Sequence, residues 1–240
     1  MFMPEVKNSA VSSSYKNKEA ILLAVDCIIF GFDHEGLKLL IFKREFEPLA
    51  GHWSLIGSFV NKNEDVEDAA YKVLKETTGL ESLFVEQLHA FGRINRDKGD
   101  RVVSIAYWSL IKLNEENRNL NVANHEAHWV DFKEVPELIL DHNEMVAMAL
   151  TTLRERARFR PIGFELLPDK FTLPQLLNLY EAIYQTKFDD RNFRRKILKT
   201  GLLIKLNEKD KSTSKRGALL YKFDYQQYDK LSKDGYLFEL

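Results

Sequence analysis

The run from Ala20 to Phe32, AILLAVDCIIFGF, is apolar or small at every position but Asp26 and rich in β-branched and aromatic side chains. Such a run suits a buried strand. Its apolar core contains Asp26 and falls short of the ~18–20 residues that a membrane span requires. No transmembrane helix is expected. Asp33-His34-Glu35-Gly36 then forms a turn, and Leu37 to Phe42 forms a second strand, so the chain opens on a hairpin. From Asn63 to Thr78 the period changes: Val66, Ala69, Ala70, Val73 and Leu74 fall at the 3–4 spacing of an amphipathic helix, with acidic residues in its first turns and Gly79 past its end. Further strands are expected at Leu83–Gly92, Val102–Lys112 and Ala127–Asp131, and a second helix at Asn143–Arg158. The front of the chain reads as a mixed α/β domain.

Beyond Arg160-Pro161 the pattern changes again. A linker strand (Ile162–Leu167) precedes Phe171-Thr172-Leu173-Pro174, where Thr172 can cap a helix that carries Pro174 near its start and runs to about Tyr184. A second helix, Asp190 to Thr200, is stopped by Gly201, and two strands, Leu202–Leu206 and Ala218–Phe223, flank the polar loop Asn207–Gly217. Helix, turn, helix and a hairpin with a basic tip is the order of a winged helix-turn-helix. The division is therefore 1–18 as a polar flexible arm, 19–160 as the α/β domain and 161–240 as the winged helix. Charge divides the same way: residues 1–150 carry 16 basic and 24 acidic side chains, a net −8, against 19 and 12, a net +7, in residues 151–240. A basic segment behind an acidic one points to a polyanionic partner for the back of the chain. The arm lacks the apolar segment of a signal peptide, and the single Cys27 excludes an internal disulfide framework. A reducing cytoplasm is the expected compartment.

The segment Gly57-Ser58-Phe59-Val60-Asn61-Lys62-Asn63-Glu64, with the helix closing Lys72-Val73-Leu74-Lys75-Glu76-Thr77-Thr78-Gly79-Leu80, resembles the signature of the Nudix hydrolases. Aligned on Glu64 and Gly79, the spacing holds without a gap, and Leu74, Glu76 and Leu80 match. Ser58 replaces the first glycine, Lys72 the arginine, and Val73 and Thr77 replace two carboxylates that in the family hold Mg²⁺ against a diphosphate. Magnesium needs near-octahedral oxygen ligation, to which Val73 offers nothing and Thr77 only a hydroxyl. The resemblance thus implies the fold without efficient hydrolysis, and neither a metal site nor a cofactor is expected. A pocket that binds a small molecule without converting it remains, with Lys43, Glu45, Trp53, Phe59, Glu76, His89 and Arg101 as candidates to line it. The alternatives are that Lys43 and Glu45 close an exposed strand and that His89 is structural. His125, His128 and His142 show no metal-ligand spacing.

In the helix from Asp190, a wheel at ~100° per residue groups Phe193 and Ile197 on the core side, with Leu198 near its edge. Arg191, Asn192, Arg195 and Lys199 project on the other side, where arginine suits guanine and asparagine suits adenine in a major groove. Arg194 and Lys196 lie between the faces, as phosphate contacts or structural ion pairs. The loop adds Lys211, Ser212, Thr213, Ser214, Lys215 and Arg216, a composition that fits a phosphate backbone.

Both halves together, from about residue 20, look like the Nudix-related transcriptional regulators. The resemblance implies an α+β chain, a Nudix-fold α/β/α sandwich followed by a winged helix-turn-helix, acting as a homodimeric repressor on palindromic double-stranded DNA. Within that family the eroded signature is most similar to the arabinose-responsive branch, which implies L-arabinose as the favoured effector, while another branch responds to ADP-ribose. The competing expectation is a Nudix pyrophosphohydrolase acting on ADP-ribose-like nucleoside diphosphates.

Overall fold

In the computed structural model the described residues are 18–45, 47, 49–79, 85–118, 127–212, 216–236 and 238. The opening apolar run forms β1 (Leu22–Asp33), and β2 (Gly36–Lys43) folds back on it through the Asp33–Gly36 turn. Asp33 holds that turn by accepting from the amides of Glu35 and Gly36 at 2.8 and 3.2 Å. Two short strands follow, β3 (Trp53–Ser54) against β2 and β4 (Ile56–Phe59) against the first half of β1. Helix α1 (Val66–Thr78) then leads to β5 (Glu86–Phe91) and β6 (Val102–Lys112), and β6 runs parallel to the whole of β1. A single turn, α2 (Glu115–Arg118), and β7 (Ala127–Asp131), antiparallel to β2, complete a sheet whose main order is β3-β2-β1-β6-β5.

Because side chains alternate along a strand, β1 feeds two cores. Val25, Cys27 and Ile29 join Ala69, Ala70, Val73 and Leu74 of α1. Ile28, Phe30 and Phe32 point to the other face, where α3 (His142–Phe159) lies with Met145, Ala149 and Leu153. The result is an α/β/α sandwich. Helix α1 begins at Val66, the first apolar residue of its pattern and later than the expected Asn63, with Asp65 as N-cap, and ends on Gly79 at φ 70°, whose N–H bonds back to Lys75.

The winged helix is built from β8 (Phe171–Thr172), α4 (Leu173–Tyr184), α5 (Asp190–Lys199), β9 (Leu203–Asp210), β10 (Ala218–Phe223) and α6 (Tyr225–Lys233). Thr172 and Gln175 form a reciprocal capping box at the start of α4. Two expectations are corrected. Ile162–Leu167 is no strand, since Phe164–Leu166 turns as a short 3-10 helix with Phe164 and Leu166 in the core. β9 runs four residues beyond Leu206, so the wing tip is shorter than the polar composition suggests.

Arg160-Pro161 ends α3 but does not end the packing. One cluster runs without a break from Phe30 and Leu39 through Leu150, Leu153 and Ala157 to Leu176, Leu179, Phe193 and Ile197. Arg154 on α3 donates to the last carbonyls of α4, Ile183 O at 3.2 Å and Tyr184 O at 3.1 Å, and the Tyr184 hydroxyl donates back to Arg154 O at 3.0 Å. Helix α3 therefore serves both halves. No helix among the described residues is long and apolar enough to cross a membrane.

Candidate functional site

Helix α5 is positioned by its N-cap and by its buried face. Asp189 caps it by accepting from the Asn192 amide at 2.8 Å. Phe193 and Ile197 are buried, and Phe193 packs against Tyr180 and Phe188 at ring distances of 5.6 and 6.2 Å. That anchoring leaves Arg191, Asn192, Arg195, Lys196 and Lys199 exposed. The Arg195 guanidinium donates to Asn192 Oδ1 at 2.7 Å, which fixes these two exposed side chains relative to each other. Arg194 instead bonds Asp190 at 2.7 Å within the helix, the structural alternative of the two open to it. Leu198 is 46% exposed, so it lies outside the core side on which the wheel put it near the edge.

The wing strands pair from Leu203–Phe223 to Asp210–Ala218. Asp210 accepts from the Ser212 amide at 2.8 Å, a bond that holds its carboxyl below the usual range and shapes the start of the tip. Gly217 has φ 69°, and a Cβ there would stand 2.9 Å from the Asp210 carbonyl, so the return into β10 needs glycine. Lys211, Ser212 and Arg216 are exposed at the tip, and Thr213, Ser214 and Lys215 lie outside the described residues.

In the sheet half, the signature loop is held by its own residues. Glu64 accepts from the Asn61 amide at 2.7 Å, the Asn61 side chain at 2.8 Å and Lys72 at 3.1 Å. The Asn61 amide foremost, then Lys72, holds its carboxyl below the usual range. Val73 is 7% exposed within the apolar cluster under α1, and Glu76 faces solvent. The donors here do not fit a magnesium ion: where the resemblance expects a carboxylate stands the buried, apolar Val73, and Glu64 is engaged in the loop. Among the described residues no group of three or more His, Cys, Asp or Glu is placed to hold a metal.

The seven effector candidates do not converge. Lys43 and Trp53 are direct cross-strand partners, and Trp53 meets His128 edge-on at 5.6 Å. His89 lies on β5 at the other side of the sheet, edge-on to Phe91 at 5.4 Å. Glu45 and Glu76 are exposed, and Phe59 is 56% exposed at the end of β4. Arg101 is a clamp, donating to the carbonyls of Gly92, Arg93 and Val102 at 3.0–3.3 Å, which closes the β5–β6 loop.

A buried polar group went unread in the sequence. Asp26 accepts from Ser104 Oγ at 2.6 Å and faces Arg96 Nη2 and His142 Nε2, both at 3.6 Å. Arg96 makes a two-point pair with Asp141 at 2.9 and 2.7 Å, and Arg93 a second with Glu144 at 2.7 and 2.8 Å. The β5–β6 loop is thereby latched to the start of α3. Gly57 is required beside it, since a Cβ there would fall 2.4 Å from Asp26 Oδ1. The lone charge in the opening apolar run was the signal that could have located this group.

Comparison with known proteins places both halves. The NUDIX domain model matches residues 21–149 and the NrtR DNA-binding winged helix domain model residues 163–223. The ADPR responsive transcriptional repressor NtrR of Acinetobacter baylyi is 31% identical over 212 residues, covering 87% of this chain and 84% of that protein. The chain belongs to the NrtR family. The crystal structure of Shewanella oneidensis NrtR complexed with a 27mer DNA is 26% identical, with a TM-score of 0.67 over 84% of this chain and 93% of that one. The ADP-ribose pyrophosphatase of Methanocaldococcus jannaschii is 32% identical over 124 residues, 52% of this chain and 70% of that enzyme, so the second likeness stops at about half of this NrtR-family chain. Neither curated relative is named for L-arabinose, and the preference for that sugar finds no support here.

Proposed function

We propose that this chain is a homodimeric, sequence-specific transcriptional repressor that holds a palindromic operator through α5 and the wing and releases it when ADP-ribose binds the Nudix domain without being hydrolysed. The observation that carries this is the face of α5: Phe193 and Ile197 fix the helix from behind while Arg191, Asn192, Arg195 and Lys199 stand exposed in front. Arg195, oriented by Asn192, has the fork that meets guanine O6 and N7, and Asn192 retains an amide for adenine. Lys211, Ser212, Thr213, Ser214, Lys215 and Arg216 follow the phosphate backbone, which sets register without reading sequence.

ADP-ribose replaces L-arabinose in this reading because two curated relatives, the Acinetobacter repressor and the Methanocaldococcus enzyme, are named for ADPR and ADP-ribose. Binding without turnover is supported by Val73, which removes a ligand position that diphosphate cleavage needs. Lys43 and Trp53, side by side on β2 and β3, are the first effector contacts to test, followed by Glu45, Phe59, Glu76 and His89. An effector regulates only if it binds one arrangement of the two winged helices better than the other. The shared core along α3 offers a stiff connection for that difference.

Calorimetric titration of the full chain with ADP-ribose and with L-arabinose, beside an assay for Mg²⁺-dependent cleavage of ADP-ribose, tests the reading. Saturable ADP-ribose binding without cleavage is expected. Binding of L-arabinose alone returns the sugar effector, and steady turnover returns the hydrolase.

A further inference from the structure

Between the two halves lies a cleft of about 400 Å³, at the lower end of the size range of small-molecule sites. Its floor is apolar: Phe32 and Leu113 at the ends of β1 and β6 face Leu167, Pro168 and Pro174 from the winged helix. Asp210 and Ala218 bring the wing strands to its rim. Lys112 and Arg118 supply the cations at the sheet side.

The acids nearby are already satisfied. Asp33 Oδ1 accepts from the Glu35 and Gly36 amides, and its Oδ2 takes one Arg118 nitrogen at 2.6 Å. Asp210 accepts from the Ser212 amide. Lys112 has no ion-pair partner among the described residues, and the Arg118 side chain stays 38% exposed beyond its bond to Asp33. Open donors at one end of an apolar trough match a ligand with an apolar body and one anionic head.

We infer that this cleft is a second ligand site, apart from the effector contacts proposed around Lys43 and Trp53, for a small apolar carboxylate whose head meets Lys112 and Arg118. An occupant touches β1, β6, α4 and both wing strands together. It would therefore fix the wing relative to the sheet, giving a second input to DNA binding.

The probe is octanoate, with 1-octanol as the uncharged control, titrated into the full chain and followed by amide and methyl NMR shifts. Octanoate is expected to bind at least about tenfold more tightly than octanol, with shifts centred on His34, Leu113, Leu167 and Ala218. Lys112→Glu, a change at an exposed position, is expected to weaken octanoate about tenfold, while leaving octanol unchanged. Ala218→Trp, which fills the trough from the wing, removes both. Equal affinity for the two probes, shifts centred elsewhere, indifference to Lys112→Glu, or no shifts at millimolar octanoate each overturn the site. Should Ala218→Trp fail to fold, the Lys112→Glu comparison still decides.

Discussion

The backbone N–H of Leu55 donates to Nδ1 of His142 at 3.1 Å, tying the β3–β4 junction to the first turn of α3. An amide can only donate, so Nδ1 accepts and the proton of the neutral ring sits on Nε2, facing Asp26 Oδ1. Burial, outweighing the pull of Asp26 and Asp141, holds the imidazole below its ordinary range. The folded pKa lies below that of the unfolded chain, about 6.5, so the unfolded chain takes up this proton first as pH falls. Stability from His142 is complete above that value and is lost as pH falls through the window toward the folded pKa. Urea midpoints at about pH 7.5 and about pH 5.5 should differ more for the parent chain than for His142→Asn, whose amide oxygen keeps an acceptor for Leu55. An equal difference in both would remove His142 as the cause.

Arg195 is exposed and its guanidinium bonds a neighbour on its own helix, Asn192, so Arg195→Ala should fold as the parent does. Loss of a base contact of this kind costs about 1–3 kcal/mol, chiefly on the specific site. Fluorescence anisotropy with specific and scrambled duplexes should show the first weakened by tenfold or so and the second little changed. Unchanged specific affinity would place Arg195 outside the interface.

Val73→Glu puts a carboxylate among Ala69, Ala70, Leu74 and Ile56. An unpaired buried charge of this kind should lower stability by about 2–4 kcal/mol, read as a reduced Tm. Recovery of that Tm by millimolar Mg²⁺ would show that the helix can still present a metal ligand and would contradict the poor fit described above.

Unfolding should be one transition for the whole chain, because a single core spans both halves. Trp53, Trp108 and Trp129 all report from the sheet, whereas α4, α5 and α6 contribute their ellipticity from the winged helix. Tryptophan fluorescence and far-ultraviolet dichroism should therefore give the same midpoint. Arg154→Ala, which leaves the Ile183 and Tyr184 carbonyls without their donor, should cost about 1–3 kcal/mol of stability and lower both midpoints together. Separate midpoints would show that the halves unfold independently.

Elements with a strong local period were legible: β1, β6, α1, α3, and the α4–α5 pair with its Thr172 cap. The two-residue strands β3 and β8 carry no period, since their pairing is set by distant partners, Phe42 and Lys43 for β3 and Tyr221 for β8. The run Ile162–Leu167 misled because its apolar residues pack through a 3-10 turn rather than an extended strand. The α5 face was readable from a helical wheel alone. The buried group at Asp26 was not, because Arg96, Ser104 and His142 reach it from three other segments.

Selection of bound fragments from a pool of genomic DNA at ~150 mM salt, where nonspecific attraction to phosphates is weakened, tests the central proposal most directly when repeated with ADP-ribose and with L-arabinose. The expected result is enrichment of one palindromic site that ADP-ribose, and not L-arabinose, abolishes. Absence of any enriched sequence, or enrichment that ADP-ribose leaves untouched, would contradict a repressor governed by that ligand.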